Sequence, residues 1–116
     1  MGNLKPCGKI RLTISFKRFI EDFESGKLDK KSLYTTHSRI VNAIIDYFKK
    51  QIIVREYMSE DKIINDKINL YIKFEGKLGK TYKEYEYELY RYFQMFLPPT
   101  VLDNLDYPNV ICIETY

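Results

Sequence analysis

Hydrophobic and polar residues alternate without a fault in two stretches of the chain. In IRLTISF, residues 10–16, Ile10, Leu12, Ile14 and Phe16 face one way, and Arg11, Thr13 and Ser15 face the other. In INLYIKF, residues 68–74, Ile68, Leu70, Ile72 and Phe74 alternate with Asn69, Tyr71 and Lys73. A period of two is the mark of a strand buried on one face only. Elsewhere the period lengthens. Phe16, Phe19, Ile20 and Phe23 stand at i, i+3, i+4 and i+7, which predicts a short helix stopped by Ser25-Gly26. Asp29 has the character of an N-cap for a second, longer helix. Down that helix Leu33, His37, Ile40, Val41, Ile44, Ile45 and Phe48 form one apolar stripe, and Lys49 and Lys50 suit its C-terminal end.

The β-branched run Ile52-Ile53-Val54 opens a strand, IIVREYM; the alternative is one long helix running on through Met58 above a three-stranded sheet. Ser59 to Lys62 reads as a turn, and Ile63 and Ile64 prolong either neighbour. After residue 74, Gly76 and Gly79 end the extended run. Thr81 and Glu84 have the spacing of a capping box, so KTYKEYEYELYRYFQMF becomes a helix from Thr81 to Leu97, stopped by Pro98-Pro99. A last strand, NVICIETY, closes the chain.

The order is β-α-α-β-β-α-β. With the first two helices counted as one crossover, this is the βαββαβ pattern of a ferredoxin-like α+β domain. That topology places the first and third strands in the centre of an antiparallel sheet with helices on one face. Those are the two strands with faultless alternation, as a sheet covered on one side requires. A length of 116 residues, with no repeat or linker, corresponds to one domain spanning 1–116.

Composition limits the function without naming it. Hydrophobic residues make up 45% of the chain and charged residues 30%, as in an ordinary globular protein. No apolar run reaches the roughly 18–20 residues of a membrane span. The N-terminal MGNLKPCGKIRL lacks an apolar signal-peptide core, so the expected address is cytoplasmic, with no membrane partner. Richness in Lys, Ile, Tyr and Asn accompanies AT-rich genomes such as those of some viruses, plasmids and thermophilic archaea, and a virus or mobile element is the expected source.

Two distant cysteines and one histidine cannot build a Cys/His zinc site, and no cofactor motif is present. GKLGK is a turn that lacks the Lys-Ser/Thr ending of a phosphate loop. His37 lies on an apolar stripe without visible catalytic partners, so it reads as a half-buried structural residue. No metal, cofactor or catalytic residue is expected, and binding is a better expectation than catalysis.

Two binding surfaces suggest themselves. The solvent face of the central strands carries Lys9, Arg11, Tyr71 and Lys73. A tyrosine among cations can stack a base while its neighbours hold phosphates, so the first expectation is a small nucleic-acid-binding protein with single-stranded DNA or RNA as its partner, and a protein-interaction module is the alternative. The net charge of +3 permits that partner without demanding it. On the tyrosine-rich helix, Tyr82, Tyr85, Leu89, Tyr92, Phe93 and Phe96 gather on one face, while Tyr87 and Tyr90 fall outside it. Tyr87 and Tyr90 therefore mark a possible protein interface, either for a foreign partner, as in a viral inhibitor or adaptor, or for a homodimer.

The stretch LYIKFEGK, residues 70–77, resembles the segment after the metal-binding histidines in replication initiators of small circular DNA viruses. In that family a His-hydrophobic-His pair lies on a central strand and a nucleophilic tyrosine on a later helix. Here Asn69 and Tyr71 stand where the histidines would be, and Tyr82 or Tyr85 would be the helix tyrosine. Asn and Tyr do not replace two imidazoles as metal ligands. The resemblance covers under ten residues and implies DNA binding without nicking.

Overall fold

The computed structural model describes residues 7–60, 67–97, 99 and 111–115. Its elements are β1 (Cys7–Ser15), α1 (Lys17–Glu24), α2 (Lys30–Gln51), β2 (Ile53–Ser59), β3 (Lys67–Glu75), α3 (Tyr82–Phe96) and β4 (Ile111–Thr115). The four strands form one antiparallel sheet in the order β2-β3-β1-β4. The two strands with faultless alternation are thus the central pair. They run in register from Cys7 opposite Glu75 to Ser15 opposite Lys67.

Alternation decides which face of the sheet is covered. Ile10, Leu12 and Ile14 of β1, Ile68, Leu70, Ile72 and Phe74 of β3, and Ile111 and Ile113 of β4 are all buried. They meet Ile40, Ile44 and Phe48 of α2 and Tyr85, Leu89 and Phe93 of α3 in one continuous core. Burying each such aliphatic or aromatic side chain contributes roughly 1.5–3 kcal/mol. Phe48 and Tyr85 bring their rings within 5.6 Å where the two long helices meet.

The helix ends follow local chemistry. Asp29 accepts the Ser32 amide at 2.7 Å and starts α2. Thr81 and Glu84 complete both halves of the capping box of α3. Gly26, at φ 82°, turns the chain out of α1, a conformation that costs glycine little.

Two expectations change, and the strand expected from Ile52 is found. Phe16 lies in the core but precedes α1, and Phe23 is exposed, so the buried face of that short helix rests on Phe19 with partly buried Ile20. Residues 53–59 form a strand, which excludes one helix running on through Met58. Tyr47 and Thr36 are buried although they stand beside the apolar stripe of α2, because α2 packs under both the sheet and α3. His37 is half-buried, its ring nearly perpendicular to that of Phe16. Ile63, Ile64, Asp61 and the segment 100–110 lie outside the described residues. Among the described residues no helix is long and apolar enough to cross a membrane.

Candidate interaction surface on the open sheet face

The antiparallel register assembles the predicted cluster directly. Lys9 lies opposite Lys73, and Arg11 lies opposite Tyr71, all on the face away from the helices. Opposed lysines repel unless a counter-charge intervenes. The fold supplies counter-charges across this face. Arg11 is also opposite Glu114 of β4 and forms an ion pair with it. That contact raises the Arg11 pKa and lowers that of Glu114. Lys73 is 3.9 Å from Glu56, its register partner on β2. Arg55 donates to Glu75 at 2.7 Å. Lys9 has no ion pair among the described residues.

Tyr71 is held as well. Its hydroxyl donates to Glu60 Oε1 at 2.7 Å, and Asn69 donates to Glu60 Oε2 at 3.3 Å. The Glu60 amide bonds the Asn69 carbonyl, so the chain folds back as β2 ends and lays a carboxylate on the open face. Periodicity could not find Glu60, because it sits just past the end of a strand. Only the register of β2 against β3 brings it to Tyr71.

Tyr57 and Met58 were likewise outside the sequence expectation. Met58 lies opposite Tyr71 and Tyr57 opposite Ile72. Together with Lys9, Glu56 and Lys73 they line a shallow cavity of about 300 Å³. Three of the four residues expected to bind nucleic acid therefore share a pocket with the exposed Met58. Ile53, Tyr57 and Met58 are 53%, 47% and 61% exposed, in a strand bonded to the sheet on one side only. A second cavity, of about 530 Å³, lies where α2 passes the end of β2, lined by Tyr34, His37, Ser38, Val41, Asn42 and Ser59.

The two helix tyrosines separate. Tyr87 is 50% exposed under the Arg91 guanidinium, whereas Tyr90 is half-buried against the core. They do not form one exposed pair. Tyr85, one of the two helix tyrosines that the viral resemblance brought forward, is a core residue whose hydroxyl accepts the Gly79 amide at 3.0 Å. The other, Tyr82, shares a 2.7 Å hydrogen bond with Thr115. The Cys112 thiol is pushed up by burial and by Glu114 and Glu86, which disfavours the nucleophilic thiolate. Among the described residues no three of His, Cys, Asp and Glu gather in a group fit for a metal.

In comparisons with known proteins, no family model, curated protein or solved structure gives a significant match to the chain.

Proposed function

We propose that this protein is a non-enzymatic protein-interaction module whose contact surface is β2 with the adjoining open face, rather than α3. The observation that carries this reading is the exposure of Ile53, Tyr57 and Met58 on an edge strand beside the pocket at Tyr71. An edge strand offers unpaired backbone groups for a partner strand, and apolar side chains beside it supply affinity and selectivity. The arrangement is read as ferredoxin-like. Its support is the order β2-β3-β1-β4 with α1 and α2 counted as one crossover.

The test is selection from a displayed peptide library, with the protein held at nanomolar concentration. Extended peptides of alternating apolar character are expected. Their binding should be lost on Ile53→Lys or Met58→Lys and kept on Lys83→Ala, an exposed change on α3. Failure to enrich any peptide that depends on Ile53 or Met58 would overturn the reading.

Binding of single-stranded nucleic acid is a second reading. It is supported by the pocket that gathers Lys9, Tyr71 and Lys73. Against it stand the carboxylates Glu114 and Glu56 beside Arg11 and Lys73. They offset in place the charge that phosphates would need.

A further inference from the structure

The two edges of the sheet are treated differently. At β4, α3 reaches over the edge: Glu86 accepts the Ile113 amide at 2.8 Å, and Tyr82 bonds the Thr115 hydroxyl. The Glu86 carboxylate takes a backbone donor that a further strand would need. Among the described residues no side chain does this for the backbone of β2.

The second observation is a bulge. The register passes from Val54 opposite Phe74 to Glu56 opposite Lys73, leaving Arg55 as an extra residue. Arg55 reaches Glu75 on the open face, the same face as Glu56. A regular strand would put neighbours on opposite faces; a bulge puts two together. From Ile53 the sides therefore run open, core, open, open, core, open, which reads the same in both directions.

This matters for pairing about a two-fold axis perpendicular to the sheet. There, each residue must meet one from the same face. Centred between Arg55 and Glu56, the strand satisfies that condition throughout. Ile53 meets Met58, Val54 meets Tyr57, and Arg55 meets Glu56. Two apolar pairs flank a pair of opposite charges, and each occurs twice.

Resting on the interaction-module reading, we propose that the partner of β2 is a second copy of this chain. The two β2 strands pair antiparallel, with Arg55 of one copy opposite Glu56 of the other, and the two sheets become one of eight strands. Each copy uses the same patch, so the assembly closes at two.

The test uses charge reversal at exposed positions. Wild-type protein is expected to sediment as a monomer–dimer equilibrium between low micromolar and submillimolar concentration. Arg55→Glu places a second carboxylate opposite each Glu56, and Glu56→Arg places a second cation opposite each Arg55. Each change alone should weaken the dimer about tenfold or more. An equimolar mixture of Arg55→Glu and Glu56→Arg proteins restores both pairs and should dimerise again, while circular dichroism shows both variants folded. A strict wild-type monomer at submillimolar concentration would overturn the proposal, with the bulge and central charges then guarding the edge against pairing. So would a dimer indifferent to both reversals. A wild-type monomer that still selects peptides dependent on Ile53 and Met58 removes the second copy alone. A monomer that selects none removes both readings.

Discussion

At Gly8 the backbone of β1 passes beneath the ring of Phe74, its register partner. A Cβ built there would lie 2.4 Å from the ring tip. Phe74 is itself buried, so the ring cannot simply swing into solvent. Gly8→Ala should therefore lower the free energy of unfolding by about 1–3 kcal/mol, the cost of overpacking. Urea denaturation with an unchanged m-value checks this. Phe74→Leu combined with Gly8→Ala should cost less than the two changes summed, since the smaller side chain makes room. An additive result would mean that the contact does not constrain the fold. Nothing local to PCGKI announces the ring; the contact exists because β1 and β3 pair in this register. Tyr71 shows the same limit. Its place on the open face follows from alternation, but its bond to Glu60 follows from the chain folding back at Ser59.

Elements are where the sequence was most legible. Asp29 and Thr81 were readable as caps because capping depends only on residues three positions apart. The Asp29 carboxylate is held below its ordinary pKa chiefly by the Ser32 amide. The ordinary value is about 3.9. A depressed carboxylate contributes stability that is fully present above that value and is lost as pH falls through the folded pKa. The cap of α2 should thus weaken only in acid, below about pH 4. Asp29→Asn keeps a capping oxygen without the charge. Acid titration followed by helical circular dichroism should show a smaller loss in this variant than in wild type; equal losses would place the acid sensitivity elsewhere. The tyrosine helix was legible in part. Its wheel placed Tyr85, Leu89 and Phe93 in the core, where they are. It set Tyr90 aside from that face, yet α3 packs deeply enough to cover Tyr90 in part as well. A wheel gives direction, whereas the width of the buried stripe depends on what lies beneath it.

For the whole molecule the central quantity is the charge of the open face. The net charge of +3 describes the chain without saying where its charges lie. Here Arg11, Arg55 and Lys73 each lie beside a carboxylate from a neighbouring strand. If Lys9 and Lys73 alone met phosphates, the logarithm of affinity for single strands would fall against that of salt with a slope near −1.4. Fluorescence anisotropy with labelled oligonucleotides should find binding that weak and that shallow in salt. Glu114→Gln together with Glu56→Gln should free Arg11 and Lys73, steepen the slope and tighten binding, while Tyr71→Ala should weaken whatever remains. A wild-type slope twice as steep would return nucleic acid to first place.

Residues 52–58 stood open between strand and helix until pairing with β3 decided them; the sequence by itself determined the other strands, the caps, the helices and the identity of the two central strands. Each of those depends on periodicity or on neighbours a few residues apart, and the hydrophobic effect enforces the pattern wherever one face must be dry. Tertiary structure decided the rest. It placed Glu60 on Tyr71 and Glu114 on Arg11, neither of which any local pattern contains. It put α3 over the β4 edge and left β2 to solvent, with a bulge that turned Arg55 and Glu56 to the same side. Charge neutralisation and edge exposure arise between segments distant in the chain. They take form only when strand register brings those segments within hydrogen-bond reach.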